Sequence, residues 1–127
     1  MNIARNPVGW FEIYVEDMPR AKAFYEATFD VKLDPLSSPD DALEMWAFPM
    51  SPDKPGACGA LVRMEGCAPG GSGTIVYFSC VDCAVEEARA SSAGGRIHKS
   101  KFSIGEYGFI VLLADTEGNT IGLHSLA

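Results

Sequence analysis

The chain has 127 residues, the length of one compact domain or of two small modules that share one core. Apolar residues make up 47% of it, enough for a buried core, yet no stretch approaches the roughly 20 apolar residues of a membrane-spanning helix. A net charge of −7 without a lysine and arginine cluster argues against nucleic acid and anionic membranes as partners. The first residues lack the apolar core of a secretory signal, so we expect a cytoplasmic protein with free thiols.

The first half of the chain predicts a strand, a helix and three more strands. Residues 8–15 are too few and too rich in β-branched and aromatic types for a helix, so they predict a strand. Asp17 is a candidate cap for a helix over residues 20–29, with Pro19 in its first turn. The apolar stripe of that helix is predicted at Ala21, Phe24, Tyr25 and Thr28. Turn-forming residues bound the further strands, which are predicted at residues 31–36, 42–48 and 57–64.

Side chains alternate between two faces along the first predicted strand. One face is purely apolar, with Phe11, Ile13 and Val15. The other face mixes aromatic rings with a carboxylate, at Trp10, Glu12 and Tyr14. A carboxylate is rare in an ordinary core, so we predict that this mixed face lines a cavity.

The second half repeats the order of the first after a glycine-rich linker at residues 65–73. Asp82 is a candidate cap for a helix that stops at Gly94 and Gly95, and a shift of 65 residues superposes Asp17 on Asp82. The predicted elements of this half are a strand at residues 74–81, a helix at 83–93, and strands at 96–101, 107–114 and 120–125.

This repeat predicts an α+β fold of two tandem βαβββ modules that form a cupped, partly open, barrel-like mixed sheet. The modules cover residues 1–64 and 74–127 of a single domain over residues 1–127. Each predicted four-stranded sheet has one helix to cover one face, so we expect the other face to enclose a cavity.

Several short motifs accompany this order. They are Val15-Glu-Asp17 with Arg20-Ala-Lys-Ala-Phe-Tyr25, Val81-Asp82, Gly94-Gly95 and the stretch from Asp115 to Leu123. In order and spacing the sequence resembles the vicinal oxygen chelate superfamily, which includes glyoxalase I, extradiol dioxygenases and bleomycin-resistance proteins. It is most similar to uncharacterised glyoxalase-like members. The resemblance implies the fold just described, and it favours a homodimer.

Enzymes of that superfamily mostly hold one divalent metal with histidine, glutamate or glutamine side chains. The resemblance places the four ligand positions at Trp10, Gly59, Val76 and Gly122 of this chain. None of these side chains ligates a metal, so we expect no metal at this site and no cofactor. An atypical divalent metal held by Glu12, His124 and a partner chain stays an alternative.

Glu12 and His124 are the candidate catalytic residues. Glu12 lies on the mixed face of the first strand, and His124 lies two residues beyond Gly122 on the last strand, so both are predicted to face the cavity. A carboxylate and an imidazole there could relay a proton next to a carbonyl group. The alternative is that Glu12 is a partly solvated strand residue and His124 an ordinary hydrogen-bonded one.

The remaining candidates would bind an organic ligand through flat rings, through the space that glycine leaves, or through charge. They are Trp10, Tyr14, Trp46, Gly59, Phe78, Lys101, Tyr107 and Gly122. The alternative for each ring is that it fills the core, and for Lys101 that it is a solvated loop charge. Cys80 and Cys83 have the spacing of redox and zinc motifs, but a second close pair is missing, which favours small buried side chains.

Two classes of function therefore compete. As a binding module, the protein holds a small planar organic molecule in a cavity without the usual metal ligands. As an enzyme, it is a glyoxalase-type lyase or isomerase of a carbonyl compound, with Glu12 and His124 as an acid-base pair or with the atypical metal.

Overall fold

A computed structural model describes residues 6–38, 42–70 and 73–127. The chain forms two compact units. We call Trp10–Thr74 the N-terminal unit, and Met1–Gly9 together with Ile75–Ala127 the C-terminal unit. The described residues contain two α-helices and eight strands in the order βαβββ, twice over, which confirms the predicted α+β class. Residues 71–72 of the predicted linker lie outside the described residues.

The N-terminal unit is built on a mixed four-stranded sheet. Its strands stand in the order β2-β3-β4-β1, with β1 and β4 parallel and the other neighbours antiparallel. The elements are β1 (Val8–Tyr14), α1 (Met18–Phe29), β2 (Asp34–Leu36), β3 (Leu43–Ala47) and β4 (Cys58–Met64). Asp17 caps α1 as predicted, since its carboxylate accepts a 3.0 Å hydrogen bond from the Arg20 backbone N–H.

The core of the N-terminal unit lies between α1 and one face of this sheet. Val15, Met18, Leu33 and Leu61 are buried there, with further apolar side chains packed around them. The predicted stripe of α1 was half wrong. Ala21 and Tyr25 pack on the core, but Phe24 and Thr28 are exposed. The helix begins two residues before its predicted start, so its buried stripe runs through Met18, Ala21 and Tyr25.

The C-terminal unit repeats this arrangement with the strand order β5-β8-β7-β6, in which β5 and β8 are parallel. The elements are β5 (Thr74–Ser79), α2 (Cys83–Ser92), β6 (Arg96–Ser103), a 3-10 turn (Gly105–Tyr107), β7 (Phe109–Ala114) and β8 (Thr120–Ser125). Asp82 caps α2 through a 3.0 Å hydrogen bond from the Ala84 N–H, as predicted. Neither described helix has the length and apolar character of a membrane span.

The core of the C-terminal unit lies between α2 and the sheet. Cys83, Val111, Leu113 and Leu123 are buried, and Phe78 packs against them. Ser125 is buried at the same helix start, where its hydroxyl accepts a 3.0 Å hydrogen bond from the Cys83 N–H. All four cysteines are free thiols.

A neighbouring aromatic ring leaves room only for glycine at one position of β8. Gly122 pairs with Tyr77 across β5 and β8, and a Cβ atom at position 122 would overlap the Tyr77 ring. Tyr77 is only 5% exposed, so its ring has little room to move aside. The β5 and β8 strands therefore pack through a ring-on-glycine contact.

We expect Gly122→Ala to lower the free energy of unfolding by about 1–3 kcal/mol, because the added methyl group overpacks this contact. Urea denaturation measures the change. In a double-mutant cycle with Tyr77→Leu, the cost of Gly122→Ala should shrink once the ring is gone. An equal cost in both backgrounds would show that the ring is not the obstacle.

Candidate functional site

The mixed face of β1 holds a carboxylate between two aromatic side chains, as the alternation predicts. Glu12 Oε2 accepts a 3.1 Å hydrogen bond from Trp10 Nε1, and Glu12 Oε1 accepts a 2.9 Å hydrogen bond from the Tyr14 hydroxyl. All three side chains are half-buried. Residues two apart on a strand point to the same side, so a single extended segment is enough to build this cluster.

The hydrogen-bond chemistry assigns the donors and the acceptor of the cluster. The Trp10 indole N–H can only donate, so the Glu12 oxygen that it contacts acts as an acceptor. Burial first, and then the Glu12 carboxylate, raise the pKa of Tyr14 far above its usual value. Tyr14 therefore stays a neutral donor at physiological pH. Two fixed donors hold one carboxylate, an arrangement suited to recognising a polar group of a ligand.

Small and neutral side chains surround this carboxylate in the N-terminal unit. The strand register places Ala60 of β4 beside Glu12, and Ala47 of β3 beside Ala60. Cys58 and Val62 pair with Trp10 and Tyr14 in the same way. The mixed face therefore presents a charge among short side chains.

Trp46 and Gly59, two of the predicted ligand-binding residues, lie on the opposite face. Trp46 pairs with Leu61, and Leu61 pairs with Ile13, which places all three on the side that α1 covers. Gly59 pairs with Phe11, and a Cβ atom at position 59 would overlap the Phe11 ring. The structure therefore brings Trp10, Glu12 and Tyr14 together, but not Trp46 or Gly59.

In the C-terminal unit, the predicted Phe78 and Gly122 also serve packing. Phe78 pairs with Leu123 and packs against the α2 core, while the Tyr77 ring fills the space over Gly122. The sequence analysis did not identify Tyr77 as a residue of this face. The 65-residue shift that superposes the two helix caps also maps Glu12 onto Tyr77, and this was the available signal.

The His124 side chain forms a hydrogen bond to the turn before β7. Its Nε2 atom lies 2.6 Å from the backbone carbonyl oxygen of Tyr107. A carbonyl oxygen only accepts, so Nε2 carries the proton, and in the neutral ring Nδ1 holds the basic lone pair. Tyr107 contributes this carbonyl from the end of the 3-10 turn, and its side chain is exposed.

Lys101, a predicted ligand-binding residue, makes intramolecular contacts. Its Nζ atom lies 2.8 Å from Asp82 Oδ1, 3.1 Å from the Ala127 carbonyl oxygen and 4.8 Å from the centre of the Phe109 ring. Hydrogen bonding to Lys101 lowers the pKa of Asp82, and the same bond raises the pKa of Lys101. The positive charge of Lys101 is therefore paired with the Asp82 carboxylate that caps α2.

Cys80 and Cys83 behave as packed side chains. Cys83 is fully buried, and burial together with the nearby Glu86 carboxylate raises the pKa of the Cys80 thiol to about 12. A thiol with so high a pKa forms little thiolate near neutral pH, which makes it a poor nucleophile and metal ligand.

A cavity of about 470 Å³ lies beside α1 in the N-terminal unit. Ile13, Val15 and Tyr25 line it together with Arg20, and Tyr14 contributes to its wall. Trp10 and Glu12 do not line this cavity. The cluster of Trp10, Glu12 and Tyr14 and this cavity therefore share only Tyr14.

The donor set does not fit a divalent metal. The four ligand positions implied by the resemblance carry tryptophan, valine and two glycines, and aromatic rings cover both glycines. Throughout residues 6–38, 42–70 and 73–127, no three histidine, cysteine or acidic side chains cluster in a way that could hold a metal ion.

Comparison with known proteins finds a family and a set of similar folds. A model of the Glyoxalase/Bleomycin resistance protein/Dioxygenase superfamily matches residues 8–123. A variant of the Streptomyces coelicolor methylmalonyl-CoA epimerase in complex with 2-nitronate-propionyl-CoA has a TM-score of 0.67 at 16% identity, covering 98% of this chain and 96% of that one. The methylmalonyl-CoA epimerase of Mycobacterium tuberculosis has a TM-score of 0.69 at 16% identity, with 100% and 93% covered. No curated protein sequence matches.

The Asp82 and Lys101 pair gives a pH-dependent prediction. The pKa of Asp82 is lowered in the folded state, so its contribution to stability is present above the ordinary value of 3.8 and is lost as the pH falls through the folded pKa. Asp82→Asn keeps a capping side chain but removes the charge. We expect this variant to be less stable than the wild type at neutral pH and equally stable in acid.

Chemical denaturation at a series of pH values measures this difference. Asp17→Asn is the matched control, because Asp17 also caps a helix but its nearest basic group, the Arg20 guanidinium, is 3.9 Å away and exposed. We expect a smaller loss for Asp17→Asn. Equal losses for the two variants would show that Lys101 adds nothing to the cap.

Proposed function

Because the chain belongs to the Glyoxalase/Bleomycin resistance protein/Dioxygenase superfamily, we propose that it binds a small organic molecule at the mixed face of β1. The observation that carries this proposal is the Glu12 carboxylate, which Trp10 and Tyr14 hold from both sides. Known structures of this fold include complexes with small ligands, such as the epimerase variant with 2-nitronate-propionyl-CoA.

The cluster is ordered before any ligand arrives. Each side chain of Trp10, Glu12 and Tyr14 is already fixed by a hydrogen bond, so a ligand meets the carboxylate and the two rings without ordering them. Aromatic rings contribute large contact areas, and the carboxylate contributes orientation. No step of this proposal passes through a metal, because the donor set does not fit one.

Titration with planar organic molecules, followed by tryptophan fluorescence and thermal unfolding, tests the proposal. We expect at least one compound class to raise the melting temperature, and we expect Trp10→Leu to abolish that shift. Trp46→Leu is the matched control, because Trp46 makes the same type of hydrogen bond to a glutamate on the opposite face. A shift that depends on Trp46 and not on Trp10 would disprove the assignment.

A second candidate function is proton transfer next to a carbonyl group, with Glu12 of the N-terminal unit or His124 of the C-terminal unit as the residue that carries the proton. The contact that favours it is the one between His124 Nε2 and Tyr107, which leaves the basic lone pair on Nδ1. The activity named for the solved neighbours, epimerisation of methylmalonyl-CoA, is of this chemical type.

Deuterium exchange into methylmalonyl-CoA in heavy water, followed by mass spectrometry, tests this second candidate. If proton transfer is the activity, the wild type incorporates deuterium, and the variant of the responsible residue, Glu12→Gln or His124→Ala, loses it by a factor of about 10²–10⁴. Glu44→Gln, which changes neither of these residues, should keep the wild-type rate. Exchange that survives both substitutions would reject both residues.

A further inference from the structure

The cavity of about 470 Å³ beside α1 takes no part in the proposed function, because neither Trp10 nor Glu12 lines it. Its volume lies in the roughly 300–1,000 Å³ range of pockets that bind small molecules. All of its lining residues belong to the N-terminal unit. The end of β1 and the first half of α1 form part of the wall, and the rest comes from Pro69, Gly70, Gly73 and Thr74. The cavity is therefore a separate candidate site of this unit.

Part of the cavity wall is apolar and fixed in place. Ile13 and Ala21 line it with aliphatic groups, and Tyr25 adds an aromatic ring. All three are half-buried, so each keeps some surface open to a ligand. All three also pack against the α1 core, which holds them in position before a ligand arrives. Such a surface fits the hydrocarbon part of a ligand.

Charged side chains of both signs line the same cavity. Glu16, Asp17 and Arg20 contribute to its wall, and all three are exposed. The Asp17 carboxylate already has partners within α1. Its Oδ1 atom caps the helix, and its Oδ2 atom lies 3.9 Å from Arg20 Nη1. One carboxylate and one guanidinium, those of Glu16 and Arg20, are therefore left for a ligand.

The contacts of these two side chains leave their charged groups accessible. The 3.9 Å separation between Arg20 and Asp17 is longer than a hydrogen bond, so the guanidinium N–H groups can still donate to a ligand. Arg63 Nε donates a 3.1 Å hydrogen bond to the backbone oxygen of Glu16. Among the described residues, the Glu16 carboxylate takes part in no ion pair.

We propose that this cavity binds a small zwitterion, an α-amino acid with an apolar side chain. Arg20 binds the carboxylate of the amino acid, Glu16 binds its ammonium group, and the apolar wall contacts its side chain. Both charges of an α-amino acid are attached to one carbon atom, which matches two opposite charges beside an apolar surface. A molecule with only one of these charges would gain only one of the two charge-assisted contacts.

Four probes test this ligand class. Leucine has both charges, isoamylamine lacks the carboxylate, 4-methylpentanoate lacks the ammonium group, and glycine lacks the apolar side chain. In calorimetric titration of the intact protein, we expect leucine to bind about tenfold more tightly than isoamylamine or 4-methylpentanoate. We expect no binding of glycine at millimolar concentration, because it has nothing to place against the apolar wall.

Matched substitutions connect this ranking to the cavity. Arg20→Gln should bring leucine down to the affinity of isoamylamine, and Glu16→Gln should bring it down to the affinity of 4-methylpentanoate. Arg89→Gln is the matched control, because the exposed Arg89 also lies about one helical turn from a carboxylate, 4.0 Å from Glu86. This variant should keep the wild-type ranking. Circular dichroism checks that each variant is folded.

The outcomes separate this inference from the proposed function. Isoamylamine or 4-methylpentanoate binding as tightly as leucine would overturn the zwitterion. Leucine binding that Arg20→Gln and Glu16→Gln leave unchanged, but that Trp10→Leu abolishes, would move the ligand to the mixed face and overturn the cavity as its site. Absence of leucine binding at millimolar concentration would overturn the inference and leave the proposed function untouched.

Discussion

The alternation of side chains along β1 is the constraint on which the N-terminal unit depends. One face of this strand supplies Ile13 to the core under α1, and the other supplies Glu12 with its two aromatic donors. A shift of one residue would exchange the two sets, exposing the apolar side chains and burying the carboxylate against α1. The packing of the core therefore also determines where the chemistry of the unit lies.

Much of the fold follows from local patterns in the sequence. Short apolar runs between turn residues predict the strands, and Asp17 and Asp82 predict both helix starts, because a carboxylate at that position satisfies free backbone N–H groups. Tertiary contacts decide the rest. Leu33 was predicted within a strand, but it is a buried loop residue whose N–H donates to the Glu26 carboxylate, and the strand begins only at Asp34.

The candidate site was predicted where it depends on one strand and missed where it depends on several. Trp10, Glu12 and Tyr14 lie within five residues, so their shared face follows from periodicity alone. The faces of Trp46 and Gly59 depend on how β3 and β4 pair with β1, which the sequence does not specify locally. Lys101 was predicted to bind a ligand through its charge; in the structure the β6 strand extends to Ser103, and the Lys101 ammonium group contacts Asp82.

The contact of Tyr77 with Gly122 restricts how this fold can acquire new chemistry. A histidine or glutamate introduced at position 122 alone would enter space that the tyrosine ring already fills. A coordinating side chain there requires a smaller residue at position 77 at the same time, and each change made first lowers stability. A coordinating side chain at position 122 is therefore open to this sequence only through two coupled substitutions.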